Sequence, residues 1–340
     1  MRKETMMAAV FEKVGVLTVK EIPVPKIKNK DDVLIKVEAI SICGTDVRAL
    51  SDPPEFVFKE GIVIGHEFTG FVEEIGEEVT AVKKGDKVVI HPNIWCGKCH
   101  YCITGHTNLC DNFKHIGDMI DGGMAEYACV PEKMLHKISP DVPSHIACLA
   151  EPLADVLNGV TKVPAKPGDT AVVFGAGPIG LIFTMLYKAA GAKVIVSDVS
   201  EKRRAFALEI GADYAIDPVA QDIEAAVMKI TKIGADIAAD AVGVLLPDAI
   251  RVVRKGGHIV LFGINQRVKV ELNQFPILLK EIKIHGSFIA KGTFPRAVKI
   301  LEEKIIPIEK IIYKRLPLVQ VREGIEMMRR GEGAKVIIEI

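Results

Sequence analysis

The chain lacks an excess of charge of either sign. Its 340 residues carry 44 Lys and Arg against 44 Asp and Glu, with no block of like charge. That removes the electrostatic reason to bind nucleic acid or an anionic membrane surface. No secretory leader is expected from Met1-Arg2-Lys3-Glu4-Thr5-Met6-Met7, which carries an acid and no apolar run of the required length. The one long uncharged stretch, Thr170 to Tyr187, is broken by Gly175-Ala176-Gly177-Pro178-Ile179-Gly180. Such a break suits a strand, a turn and a buried helix better than a membrane span. Glutamine occurs only at Gln221, Gln266, Gln274 and Gln320 beside plentiful Lys, Glu and Ile, a composition pointing to a thermophilic source. No internal repeat is visible. A disulfide framework is absent too: of seven cysteines four cluster, Cys43 sits in a polar turn, and Cys129 and Cys148 read as buried hydrophobes. A reducing, cytoplasmic setting is expected.

What is present begins with that cluster. Cys96, Cys99, Cys102 and Cys110 stand at C-x2-C-x2-C-x7-C. Four thiolates this close can meet at one tetrahedral point, and an all-sulfur donor set favours zinc. Such a site offers no open position to a substrate, so it reads as a structural staple. Reactive thiols or chance clustering are the plainer explanations, and the repeated CxxC steps argue against both.

The length suits two domains, each able to bury a core. The first part alternates short apolar runs, such as Val33-Leu34-Ile35-Lys36-Val37 and Lys87-Val88-Val89-Ile90, with Gly, Pro and Asp, the pattern of an antiparallel β domain. From Glu151 the texture changes to strands alternating with helices. Strands are expected at Ala171–Phe174, Lys193–Asp198, Ala235–Asp240 and His258–Phe262, and helices after the glycine turn, over Ser200–Ile210 and over Pro247–Val253. This predicts an α/β fold with a doubly wound parallel sheet. Helices over Pro295–Glu303 and Val319–Arg330 and a strand over Lys335–Ile340 then return to the first domain. The expected division is 1–150 with 287–340, including a metal lobe at 93–112, around an inserted 151–286.

Gly175-x-Gly177-x-x-Gly180 follows a strand and opens a helix, with Asp198 ending the next strand. In that context backbone N–H groups at the helix start hold a pyrophosphate, and the carboxylate accepts the ribose hydroxyls. A tight strand–helix corner without a ligand is the alternative. Asp198 would repel a 2′-phosphate, which favours NAD over NADP, although Lys202, Arg203 and Arg204 lie close behind.

Cys43-Gly44-Thr45-Asp46 and Gly65-His66-Glu67 form a second metal signal. A thiolate, an imidazole and a carboxylate could hold zinc and leave one position for an alcohol oxygen. Each residue alone is more often part of a core. Together, however, Gly65-His66-Glu67-x2-Gly70-x5-Gly76, the four-cysteine lobe and the dinucleotide turn follow one another as in the zinc-containing medium-chain alcohol dehydrogenases. The chain resembles that family from Val10 to Ile340, and most of all its sorbitol (polyol) and threonine dehydrogenase branch, where a glutamate stands at the position of Glu151.

The resemblance implies a GroES-like catalytic domain around an inserted Rossmann domain, with the active site in the cleft. It implies a catalytic and a structural zinc, with NAD as hydride acceptor. Cys43 and His66 would be catalytic ligands, with Glu67 and Glu151 a direct ligand and a water- or metal-contacting carboxylate. Thr45 would hydrogen-bond the substrate oxygen, and Asp46 would orient His66. Pro178, Ile179, Asp198 and Arg203 match nucleotide-binding positions, as do Phe262-Gly263-Ile264 and Ser287-Phe288-Ile289 beside the nicotinamide. A homotetramer, or else a dimer, is implied as well.

Two departures bear on substrate. Arg48 stands where relatives often place the histidine that ends a proton relay. Ile289-Ala290 replaces the Arg-Tyr pair that grips polyol hydroxyls in sorbitol-type enzymes. The expected activity is zinc-dependent, NAD-linked oxidation of a secondary alcohol in a polyol, sugar or sugar acid, with Arg48 or Lys291 open to an acidic substrate. L-Threonine dehydrogenase, a simple secondary-alcohol dehydrogenase, a catalytically dead nucleotide-binding protein and a zinc-stapled interaction module are the alternatives.

Overall fold

A computed structural model describes residues 4–340. The chain forms two compact units. The first holds the residues up to Ala154 with Ala290–Lys304 and Ile311–Ile340, and the second holds Asp155–Ile289 with Ile305–Lys310. Among the described residues no helix is long and apolar enough to cross a membrane.

In the first unit, alternating apolar positions build two sheets around one core. Thr5–Lys13 pairs between Val16–Pro23 and Ile62–Val63. The larger sheet runs Leu135–Lys137, Lys87–Ile90, Glu67–Ile75, Asp32–Ser41, Lys335–Glu339 and Ile312–Pro317, with Tyr127–Pro131 also on Asp32–Ser41. The last strand therefore returns to pair antiparallel with the third, Ile338 opposite Ile40. Ile35, Ile40, Phe68, Val72, Val88 and Ile90 fill the core between the sheets. Gly70 is fixed by packing, because a Cβ there would stand 2.1 Å from the Lys36 carbonyl oxygen across the strand pair.

The second unit is a six-stranded parallel sheet in the order Tyr214–Ile216, Lys193–Ser197, Thr170–Phe174, Ala235–Asp240, Val253–Leu261, Lys283–Gly286. Thr170–Phe174 is buried at every position, as expected of a central strand covered on both faces. The strand order reverses beside it, the point where such sheets bind ligands at their carboxyl ends.

Several expected elements shift by a residue: the helices form at Leu246–Val252 and Phe294–Glu302, and the last strand ends at Glu339. Ser200 lies outside its helix as the cap, accepting the Arg203 N–H, and Glu201–Ile210 is helical. A short 3-10 turn, Leu318–Gln320, precedes Val321–Arg329. The short strands Tyr214–Ile216 and Lys283–Gly286 were not expected.

Candidate active site

Within the first unit, Cys43 ends the run from the strand Asp32–Ser41 and caps the six-residue helix Gly44–Ala49. Its Sγ accepts the Thr45 N–H, and the Thr45 hydroxyl lies 3.5 Å from the same sulfur. The Cys43 N–H donates to Asp46 Oδ2 at 2.9 Å. His66 precedes, and Glu67 begins, the strand Glu67–Ile75. The ligand atoms of Cys43, His66 and Glu67 all lie within 4.8 Å of one another, with His66 and Glu67 buried.

The group has a strong field. Burial opposes a charge on His66, but the Cys43 thiolate, then Glu151 and Asp46, hold its pKa well above the ordinary value. Asp46 is fully enclosed, and burial pushes its carboxyl up to about 6 against the opposing pull of His66. Its second oxygen and His66 Nδ1 both lack a hydrogen-bond partner among the described residues. Asp46 thus acts on His66 through charge, while its hydrogen bond goes to the Cys43 backbone.

Glu151, in the first turn of the helix Ala150–Lys162, is buried and lies close enough to His66 to act on it electrostatically, but it is outside the three-residue group. Lys335 was missed by sequence reasoning. Its ammonium contacts both oxygens of Glu67, 2.6 Å from Oε1. The only sequence signal was a lysine preceding the apolar run Val336-Ile337-Ile338 of the terminal strand. Arg48 donates to the Gly44 carbonyl at 3.3 Å and lies 4.9 Å from the Phe56 ring centroid, so its guanidinium has local work in its own helix.

The four-cysteine lobe also comes together. The Sγ atoms of Cys96, Cys99, Cys102 and Cys110 lie within 4.8 Å of one another, and none is in a disulfide. Backbone N–H groups of Cys96 and Asn112 both donate to Cys110 Sγ at 3.3 Å. Backbone N–H groups of Lys98 and Cys99 hold the Cys96 thiol down at about 6. Sulfurs converging without bonding, with N–H groups aimed at them, suit thiolates around a soft cation.

In the second unit the glycine turn joins Thr170–Phe174 to the helix Pro178–Ala189, with Pro178 in its first turn. A Cβ on Gly180 would stand 1.8 Å from the Gly175 carbonyl oxygen, so helix and strand can close together only on glycine. Asp198 braces the turn, its two oxygens accepting the N–H groups of Ala176 and Ser200, both at 2.8 Å. Arg204 donates to the Asp198 and Val199 carbonyls and pairs with Asp217 at 2.9 Å, which removes it as a phosphate partner. Arg203 has no such commitment among the described residues. Phe262 and Gly263 follow the strand Val253–Leu261, their N–H groups held by the Asp240 carbonyl, and Ile264 comes next. Ser287 donates its N–H to Leu261, and Asn158 holds the carbonyls of Phe288 and Ile289. All these segments gather at the carboxyl ends of the parallel strands.

The "alcohol dehydrogenase GroES-like domain" model matches residues 29–140, and the "zinc-binding dehydrogenase" model matches residues 178–303. A sorbitol dehydrogenase of Bombyx mori is 32% identical, with 98% of each chain covered. The chain belongs to the zinc-type medium-chain alcohol dehydrogenases. Among solved structures, a zinc-binding dehydrogenase from Sinorhizobium meliloti 1021 bound to NADP is 34% identical with a TM-score of 0.93, covering 99% of this chain and all of that one. An alcohol dehydrogenase from E. coli CFT073 complexed with NADH is 30% identical with a TM-score of 0.92, again over 99% and 100%. The two units are thus a GroES-like domain and a Rossmann-type domain. This member of the family is an oxidoreductase that works with a nicotinamide nucleotide and zinc.

Proposed function

We propose that the chain oxidises a secondary alcohol of polyol or sugar type with NAD, using one catalytic and one structural zinc. The observation that carries this reading is the meeting of Cys43 with the buried His66, brought from separate segments, beside two buried carboxylates, Glu67 and Glu151. The donor set fits zinc: thiolate, imidazole and carboxylate are its ordinary ligands. Lys335 neutralises Glu67, which leaves the Cys43 thiolate and Glu151 to balance a divalent cation. On this reading Cys43 and His66 hold the metal, Glu151 is the carboxylate that answers its charge, and Glu67 stays with Lys335. Bound zinc supplies Lewis acidity to the substrate hydroxyl.

Thr45 accepts that hydroxyl's hydrogen bond, since its own oxygen lies beside Cys43 Sγ. Arg48, which cannot be deprotonated, takes no proton. Gly175, Gly177 and Gly180 admit the pyrophosphate, and Asp198 receives the ribose hydroxyls. The Asp198 carboxylate, with Arg204 already engaged, supports NAD over NADP. Phe262 to Ile264 and Ser287 to Ile289 flank the nicotinamide, and the cofactor carries the hydride. Phe275, Leu278, Leu279 and Ile284 are exposed beside the edge strand Lys283–Gly286, which supports assembly as a homo-oligomer. That none of the seven cysteines is in a disulfide supports a reducing, cytoplasmic setting.

The test is reduction of NAD across polyols, aldonates, uronates, threonine and short secondary alcohols, with metal analysis of wild type and Cys43→Ser. Two zincs per wild-type chain are expected, and one in the variant, with turnover lost. A variant keeping both zincs and a near-normal rate refutes the reading.

A further inference from the structure

Near His66 lies His115, and opposite His115 lies Asn93, two polar side chains that the reaction described above leaves unused. The two-residue strands Asn93–Ile94 and Lys114–His115 pair antiparallel with Asn93 opposite His115. Residues directly opposite in such a pair project to the same face. Asn93 is only 2% exposed, yet neither its amide nitrogen nor its oxygen has a partner among the described residues. A buried primary amide with both ends unmade is costly, and it calls for a ligand.

His115 points the same way. Its ring centroid lies 5.0 Å from that of His66, and Phe113 stacks on it at 5.9 Å. Nδ1 stands 3.0 Å from Asp118 Oδ1, within ion-pair range though out of line for a hydrogen bond. Asp118 is itself anchored, its carbonyl accepting the Lys59 N–H at 2.9 Å. With Nδ1 turned to the carboxylate, the ring is oriented and Nε2 is the nitrogen that faces away from Asp118, open to a ligand.

We propose that Asn93 and His115 form a subsite for a second substrate hydroxyl, next to the carbinol that reacts. The inference rests on the reading of Cys43 and His66 as the reaction centre, and it deepens that reading by naming the groups that meet the hydroxyl beside the reacting carbinol. A hydroxyl offers one donor and two acceptor positions. The Asn93 amide N–H donates to an acceptor position of that hydroxyl, and His115 Nε2, the acceptor nitrogen when Nδ1 carries its hydrogen toward Asp118, takes the hydroxyl's own hydrogen. Asp118 is a positioning residue. A monohydric alcohol leaves these groups unpaired, which is how a polar pocket rejects an analogue lacking a hydroxyl.

The experiment compares butane-2,3-diol with butan-2-ol as substrates of the zinc-loaded enzyme and of His115→Phe and Asn93→Ser. Wild type should favour the diol. Each variant should shift the ratio of the two kcat/KM values at least about tenfold against the diol, mainly through the diol's KM. A general packing defect would depress both substrates alike and leave the ratio in place. A second readout needs no turnover: Trp95 is the sole tryptophan and lies two residues beyond Asn93. Saturable change of its fluorescence with butane-2,3-diol is expected in wild type and should weaken in His115→Phe. An unchanged ratio in the variants, or a wild type indifferent to the second hydroxyl, overturns the subsite and leaves the reaction centre standing. If Asn93→Ser does not fold, His115→Phe decides. A wild type oxidising neither compound with NAD or NADP removes the functional reading, and the subsite with it.

Discussion

Lys335 closes on Glu67 from 268 residues further along the chain, with both side chains 2% exposed. The pair ties the terminal strand to the strand that carries the candidate metal group. Burial opposes a charge on Lys335, but Glu67 outweighs it and holds the ammonium's pKa above its ordinary value. Removing one partner of such a pair leaves the other charge buried and uncompensated. Lys335→Met should therefore cost about 3–5 kcal/mol, read as a lower urea midpoint of the metal-loaded protein. A midpoint equal to wild type would mean that Glu67 finds another partner.

Besides its proposed contact with the ribose, the Asp198 carboxylate accepts the N–H groups of Ala176 and Ser200. Asp198→Ala should raise the KM for NAD, and the NADP-to-NAD ratio of kcat/KM should rise about tenfold or more. The glycine turn should loosen too, lowering Tm. Because Arg204 is committed to backbone carbonyls and Asp217, the gain with NADP should come through Arg203 and vanish in Asp198→Ala with Arg203→Ala. An NADP gain that survives the double substitution assigns the phosphate to another group.

The four-cysteine lobe predicts a metal-dependent stability. Cys99→Ala should release one zinc per chain and lower Tm while the remaining folded protein still oxidises its alcohol, because a closed site contributes folding free energy rather than chemistry. Metal analysis and melting of the same sample check this. Wild-type melting with both zincs retained would contradict it.

His91 supplies a pH dependence. Burial, followed by the charges of His136 and His115, depresses its pKa to about 3, and its ring lies 4.5 Å from that of Phe294. The unfolded imidazole titrates near 6.5. A depressed folded value gives stability that is present above about pH 6.5 and is lost as pH falls toward 3. Between pH 7 and pH 4 the loss from this residue is on the order of 3 kcal/mol. His91→Phe should flatten that part of the profile, measured as urea midpoints at the two pH values. Parallel profiles would show that His91 carries none of it.

The glycine turn and the cysteine lobe were legible in the sequence because their geometry is local. Gly180 must be glycine to clear a carbonyl five residues away, and the four sulfurs are brought together by turns within one short segment. The strand Thr170–Phe174 was equally plain, since a central parallel strand is apolar on both faces. Tyr214–Ile216 and Lys283–Gly286 were not, being short and holding only one buried residue, Ile216, between them, so no run of buried residues marks them. Arg204 read as a candidate phosphate partner because a sequence shows its charge but not the carbonyls of Asp198 and Val199 that take it up.

By itself the sequence determined the two kinds of domain, the glycine turn, the four-cysteine cluster and the residue types of the candidate metal group. These depend on periodicity and on spacing within a few residues, which a chain carries in its own order. Only the tertiary structure decided which distant charges meet. Strand pairing brings Lys335 onto Glu67, sets Asn93 opposite His115, and turns Asp46 to the Cys43 backbone instead of His66. The physical reason is that a buried charge or amide takes its partner from whatever the packing delivers, and packing unites residues whose separation along the chain holds no record of it.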